Sequence, residues 1–311
     1  MTSTTRPSAP TPPTLPRRLL GWIAVLASTL IAGYWALWGS IETFHEGWYY
    51  DSLLKNIALS LGQYMMPSLV FVLAACIAIR WSRIGALLHF TAAVFAAWFF
   101  RNAAPIVIYP FIVGPLTLMA LAYWFGRPHP RKLAVLGVVV IPALVALVSG
   151  SGHAWRVAHR IDDGDRSARR ITQNGVDLIW APAGPGWPMR GTTWEDAKHT
   201  CAYLNADGLT LADAPQNIWR LPTVEEAARS MQLHGQDAGG SWDPATHRTS
   251  YKMPPDKESP LWDTRSQVIY WWTADSIDDK RAYMIVYDGQ AWPRPKDANW
   301  GYLAYRAVKS P

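Results

Sequence analysis

The sequence predicts an α-helical transmembrane bundle of five spans followed by an α+β domain outside the membrane. Five long apolar segments fill the first half of the chain. The cations between those segments lie overwhelmingly on one side of the predicted membrane. The second half turns polar, with helix caps, strand-like runs and turn signals in place of apolar stretches. At 311 residues the chain is long enough for two domains. Residues 1–150 hold ten Lys/Arg against three Asp/Glu, and residues 151–311 hold nineteen against twenty, so the formal charge of +6 comes from the first half. A nucleic-acid-binding protein carries its positive excess on a folded polar domain. Here the excess sits between apolar segments, which argues against nucleic acid as a partner and for the lipid bilayer.

Residues 1–16, rich in Thr, Pro and Ser, read as a disordered cytoplasmic tail without a cleavage site for a removable signal peptide. Within the predicted transmembrane domain, 17–150, the spans are Leu19–Trp38, Ile57–Ile79, Ile84–Phe100, Pro105–Phe125 and Leu133–Ser149. Each approaches the roughly 17–25 residues that hydrocarbon requires. Arg6, Arg17, Arg18, Arg80, Arg83, Arg127, Arg131 and Lys132 fall on one side, and only Lys55 and Arg101 on the other. The positive-inside rule then puts the N-terminus in the cytoplasm, and an odd number of spans puts residues 151–311 outside. Trp22, Trp38, Trp81 and Trp124 stand near segment ends as interface anchors. Pro67 is expected to kink the second span. His89 is the clear ionisable group inside a span and reads as a helix–helix hydrogen bond. No repeat of broken helices supports a transporter.

Residues 151–168 read as a polar connector, and Asp162-Asp163-Gly164-Asp165 within it as a solvated turn, because its spacing does not fit an EF-hand. The domain proper, 169–311, opens with a strand, Val176–Trp180, after the Asn174-Gly175 turn. A Pro/Gly loop follows to Gly191. Thr192 and Glu195 have capping-box spacing, opening a helix to about Asn205 with Trp194, Ala197, Cys201 and Leu204 on one apolar face. Ile218–Leu221 reads as a strand end stopped by Pro222, and Thr223 with Glu226 caps a second helix to about Leu233. Residues 234–268 are irregular. Strands follow at Ile269–Thr273 and Ala282–Tyr287, with Asp288-Gly289 turning into Gln290–Trp292. After an irregular stretch over 293–301, Tyr302–Val308 closes a small antiparallel sheet.

Read together, Trp219-Arg220-Leu221-Pro222-Thr223, Tyr270-Trp271-Trp272-Thr273, Thr193-Trp194-Glu195-Asp196-Ala197 and Tyr305-Arg306-Ala307 resemble the Lcl C-terminal domain family. That family is the module ending Legionella collagen-like adhesins. The resemblance covers residues 169–309 and implies a C-type-lectin-like fold related to formylglycine-generating enzymes. It does not reach the membrane half. The family often carries Cys at the positions of Cys201 and Ala307; with Ala307 here, the resemblance implies that Cys201 is a buried free thiol. Combined with the topology, it places the chain in a bacterial cytoplasmic (inner) membrane with the domain in the periplasm.

Catalytic chemistry finds little support. Cys76 and Cys201 lie in different halves, so neither a disulfide framework nor a CxxC metal site is expected. His199, His234 and His247 lack metal-ligand spacing, and Glu225 and Glu226 read as helix-start carboxylates. No catalytic residue, cofactor or metal is therefore expected. What stands out is aromatic content: eleven of the eighteen Trp lie in residues 151–311. Trp242, Tyr251, Trp262, Arg265, Trp292, Arg294 and Trp300, in or beside the irregular loops, are the candidate binding residues, since Trp and Arg are favoured at hot spots. The same rings would equally suit a satellite core. The expected function is a non-catalytic membrane-anchored module that binds a protein or glycan. The alternatives are a structural subunit with partners in a membrane complex and a degenerate formylglycine-generating-type enzyme.

Overall fold

The computed structural model describes residues 13–45, 47–159, 165–233, 235–255, 261–263 and 265–311. Most of the tail expected to be disordered, the Asp162-Asp163-Gly164 turn and His234 lie outside the described residues. The chain divides into two units, one running to Trp48 and from Leu53 to Trp155, the other made of Tyr49–Ser52 and Arg156–Pro311.

The first unit is helical. In order it contains α1 (Leu15–His45), α2 (Leu53–Leu59), a π-helical turn (Ser60–Tyr64), α3 (Met66–Arg80), α4 (Ser82–Phe99), α5 (Pro105–Ile108), a second π-helical turn (Tyr109–Val113), α6 (Gly114–Phe125) and α7 (Arg131–Ala158). Four helical stretches are long and apolar enough to cross a membrane, and a fifth if the bent pair Leu53–Tyr64 and Met66–Arg80 counts as one span. That pair bends by 64° at Met65, where the Pro67 kink was expected. Pro67 sits in the first turn of α3, where its missing N–H leaves no bond unmade. α7 runs on through Ser149–Gly152 to Ala158, so the first part of the expected connector is helical.

Small residues let these helices approach, as they must where lipid supplies no hydrophobic drive. α1 buries Gly21, Ala24, Ser28, Ala32, Ala36 and Gly39 at intervals of three and four. A Cβ on Gly85 of α4 would fall 2.1 Å from the Cβ of Ala78 in α3. At one end of the unit, the Arg127 amide donates to the Arg17 carbonyl at 2.7 Å. There the Trp22 indole donates to the His129 carbonyl at 3.1 Å. His89 bonds within its own helix, Nδ1 lying 2.7 Å from the Gly85 carbonyl, and its ring meets Tyr123 at 5.3 Å. The expected interhelical hydrogen bond is thus replaced by a backbone bond and a ring contact.

The second unit is β-rich. A hairpin joins β1 (Arg169–Gln173) to β2 (Val176–Trp180) through Asn174 and Gly175, both at positive φ as a tight type I′ turn requires. β1 was not foreseen. Next come α8 (Trp194–Tyr203) and α9 (Val224–Ser230). The cap of α8 is Thr193 rather than Thr192, its hydroxyl accepting from the Asp196 amide at 3.2 Å. Its apolar face is as expected, with Trp194, Ala197, Cys201 and Leu204 all buried. α9 has the complete Thr223/Glu226 capping box but ends at Ser230. Residues expected to continue it form β3 (Gln232–Leu233), paired with β4 (Gln236–Asp237). β5 (Ser241–Asp243) and β6 (Arg248–Ser250) make a further hairpin inside the expected irregular stretch.

The main sheet contains β7 (Tyr270–Ser276), β8 (Arg281–Val286), β9 (Ala291–Pro295) and β10 (Leu303–Ala304), in the order β10-β7-β8-β9. β10 runs parallel to β7, so the sheet is not purely antiparallel. The single closing strand expected over 302–308 is split, because β11 (Val308–Lys309) leaves to pair with β2. Ile218–Leu221 contributes only one bridge, Arg220 to Val308. Trp219 and Leu221 turn inward, while the Arg220 guanidinium grips the Glu226 carboxylate at 2.6 and 2.7 Å. Burial opposes ionisation of Glu226, but Arg220 and the Thr223 amide more than offset it and hold the carboxyl below its ordinary value.

The core is dominated by Trp180, Trp262, Trp271 and Trp272, with Trp262 stacked on Trp271 at 3.8 Å. Between β10 and β11 the chain drives Arg306 into this core, fully buried. Its guanidinium donates to the carbonyls of Ala181 (2.8 Å), Leu261 (3.1 Å) and Ser167 (3.2 Å) and lies 3.7 Å from the centre of the Trp187 ring. Arg306→Met keeps much of the volume but removes the donors, leaving the buried carbonyls of Ala181 and Leu261 without them at about 1–3 kcal/mol each. The domain of the full chain in detergent should then melt lower by at least about 4 °C. Near-ultraviolet circular dichroism of its tryptophans measures this, and an unchanged melt would show that the arginine anchors nothing.

Candidate functional site

The site is built on one face of the main sheet. Directly opposed residues of neighbouring strands share a face. Tyr270 pairs with Val286, Trp272 with Met284, Met284 with Trp292, and Ala282 with Arg294. This face therefore runs from buried Trp272 and Met284 out to Trp292 and Arg294 on the edge strand β9.

A second segment is fastened beside it. The Thr192 amide donates to the Leu303 carbonyl at 3.0 Å and the Trp194 amide to the Lys296 carbonyl at 3.0 Å. The Trp272 indole donates to the Thr192 carbonyl at 2.8 Å, and the Trp194 indole to the Thr273 carbonyl at 2.7 Å. Gly191 lies so close that a Cβ there would fall 2.0 Å from the Trp300 carbonyl oxygen. The loop between β9 and β10 is thus zipped against the start of α8, and it presents Trp300 and Tyr302 outward.

The result is a continuous strip. Arg294 lies over the Trp300 ring at 5.5 Å, Trp300 meets Tyr302 at 5.6 Å, and Tyr302 meets Tyr270 edge-on at 5.3 Å. Trp292 stands two residues from Arg294 on the same strand face. Trp292, Trp300 and Tyr302 keep 51%, 37% and 42% of their surface in water, more than most aromatic rings of this unit. Among the described residues Arg294 has no carboxylate partner; one of its nitrogens donates to the Pro293 carbonyl at 3.0 Å.

The other candidates go elsewhere. Trp262 is 2% exposed and belongs to the core stack. Tyr251 is partly buried, its hydroxyl donating to the Gly289 carbonyl at 2.7 Å, and burial raises its pKa. Trp242 is half-buried against Tyr283, 5.3 Å between rings, in a satellite cluster with Val224 and Ala291. Arg265 pairs with Asp51. Of the seven candidates, Trp292, Arg294 and Trp300 therefore come together. Tyr270 and Tyr302 complete the strip and were passed over, although Tyr270 shares its parity with Trp272 along the strand.

The sequence's candidate catalytic groups Glu225 and Cys201 are engaged or buried. Among the described residues no three His, Cys, Asp or Glu side chains gather as a metal site would need. Glu225 pairs with Arg229 at 2.5 Å. Cys201 is 1% exposed, and burial pushes its thiol up to about 12. Its thiolate is therefore scarce at neutral pH, and the thiolate is the reactive form. In a Cys76→Ser background, iodoacetamide at pH 8 should leave the folded chain unlabelled and label Cys201 only after denaturation. Mass spectrometry of the intact chain reads this, and rapid labelling of the folded form would restore a reactive thiol.

No protein-family model, curated protein or solved structure matches this chain.

Proposed function

We propose that this chain is a membrane-anchored, non-catalytic binding module whose β-rich domain faces the outside of the cytoplasmic membrane and captures a protein ligand. The exposed strip Tyr270–Tyr302–Trp300–Arg294, continued by Trp292, carries the reading. Large rings left in water cost hydration free energy that only a partner recovers. Trp, Tyr and Arg are also the residues that dominate interface energetics. A glycan is the second candidate, since sugars stack on such rings, but apart from the phenol and indole groups of the rings themselves the strip's polar group is the Arg294 guanidinium. The resemblance to the Lcl C-terminal domain family and its C-type-lectin-like fold points the same way. A structural role in a membrane complex remains the alternative, favoured by the many large apolar side chains that the helical unit exposes. An enzyme of the formylglycine-generating type has the least support, given the burial of Cys201.

Topology decides which compartment the strip meets. If the bent pair α2/α3 spans, five crossings separate the two ends of the chain; if it is re-entrant, four crossings leave them on one side. The cation asymmetry together with five crossings gives a cytoplasmic N-terminus and a domain outside. Protease added to spheroplasts should then digest residues 159–311 while an N-terminal tag survives. A domain protected until lysis would mean four crossings.

The strip is tested by photo-crosslinking. A benzoyl-phenylalanine placed at Trp300 or Trp292 should trap one discrete partner in cells, whereas the same residue at exposed Leu209 should not. Trp300→Ala and Trp292→Ala should weaken capture of that partner by more than about tenfold. The melting of these variants should shift by less than about 2 °C. A fall in melting as large as that of Trp271→Ala would make the strip core rather than interface.

A further inference from the structure

We propose that the furrow between α3 and α7 is a binding site for an anionic phospholipid, with its phosphate on Arg80, Arg131 and Lys132 and an acyl chain along α7. A cavity of about 450 Å³ lies there, lined by Ile79, Val135 and Val139 together with Arg80, Arg131 and Lys132, which stand at one end of its length. A second cavity of about 530 Å³ shares Val139 and continues along Pro142, Ala146 and Gly150 against Met65, Ser68 and Val72. Positions 131, 135, 139, 142, 146 and 150 recur at intervals of three and four, so they form one stripe on the helix. At about 1.5 Å per residue this stripe is about 28 Å long, close to the thickness of a bilayer's hydrocarbon.

The furrow is graded in polarity along this length. One end is cationic. The middle is hydrocarbon. The far end carries the hydroxyls of Ser40, Thr43 and Ser60. Where it passes Pro142, Ala146 and Gly150, small or short side chains of α7 leave it room. An apolar groove left empty in a bilayer forfeits dispersion contacts along its lining, so hydrocarbon fills it.

Charge selects the head group. Arg80, Arg131 and Lys132 make no ion pair among the described residues; Arg80 only lies over the Trp81 ring at 5.3 Å. The acidic residues of the first 150 are Glu42, Glu46 and Asp51; the one within α1, Glu42, pairs with His45 at the end of that helix opposite to Arg17, whose carbonyl accepts from the Arg127 amide. The unmatched cations therefore call for an anion from outside the chain. An amphiphile with a phosphate above an acyl chain satisfies both ends of the furrow at once. Basic pockets between spans are where anionic head groups bind.

The test uses the full chain in mild detergent, delipidated and titrated with dioleoyl-phosphatidylglycerol or dioleoyl-phosphatidylcholine under native mass spectrometry. One phosphatidylglycerol should remain bound with a preference of more than about tenfold over phosphatidylcholine. Arg80→Gln/Arg131→Gln/Lys132→Gln should abolish that preference. The control triple Arg17→Gln/Arg18→Gln/Arg83→Gln, which leaves the furrow intact, should keep it. Val139→Trp, which fills the junction of the two cavities, should weaken phosphatidylglycerol binding with melting unchanged, and so tests the site even if the triple variant misfolds. Equal binding of the two lipids overturns the proposal. So does equal loss in both triples, which would mean general surface charge. Displacement by millimolar inorganic phosphate would remove the acyl chain from the site. A co-purifying protein that occupies the furrow in place of lipid would overturn it as well.

Discussion

The β-rich domain depends on one buried cation. Arg306 is fully buried, so its surroundings must replace the hydration of its charge, and three carbonyls and one indole face among the described residues take part in doing so. The carbonyls belong to Ser167, Ala181 and Leu261, far apart in sequence, so satisfying one guanidinium ties three segments to the end of the chain. An unmet donor or acceptor inside costs more than a met one returns, so these segments cannot drift independently. The demand also explains the split last strand. Tyr305–Ala307 must turn the guanidinium inward, and the backbone resumes pairing in another sheet, β11 on β2. Nearby, Arg166 approaches the buried Asp263 carboxylate at 3.0 Å without completing a well-aligned hydrogen bond.

The helical unit answers a different constraint. Lipid is as apolar as leucine, so helices gain little by hiding leucine from it and associate through close approach. Glycine and alanine therefore line the contacts, while large aliphatic and aromatic side chains point outward. The π-helical turns at Ser60–Tyr64 and Tyr109–Val113 adjoin Pro67 and contain Pro110, where missing amides disturb the regular hydrogen-bond ladder. The first of these lies beside the 64° bend that decides the parity of the crossings.

The aromatic strip arises from the same economy of hydrogen bonds. The loop between β9 and β10 has little helix or strand of its own, and its backbone is held by pairs reaching from Thr192 and Trp194. Lys198 and Lys296 sit over the Trp194 ring at 4.0 and 4.4 Å, so that buried indole is also clasped by cations. A rigid frame of this kind can hold Trp300 and Tyr302 in water without letting them collapse inward.

By itself, the sequence determined what depends on near neighbours. Apolar run length marked the helical half. The bend at Met65-Met66-Pro67 followed from a missing amide. The Thr223/Glu226 box and the Asn174-Gly175 turn were legible because their partners lie within three residues. The buried face of α8 followed from helical period alone, even though its cap was misplaced by one residue where Thr192 and Thr193 compete. Tertiary structure alone decided what depends on distant partners. β1 and the short hairpins carry too little alternation to announce themselves and exist because β2, α9 and the core accept them. A tryptophan in a loop looks alike in sequence whether it is core or surface. Trp262 is core because Trp271 offers a parallel face, and Trp300 is surface because Gly191 lets its backbone lie against the start of α8 with the ring turned out. The long-range pairing of Arg306 with Ser167, Ala181 and Leu261 leaves no local trace, since burial turns a surface residue type into an anchor only when the fold brings the acceptors to it.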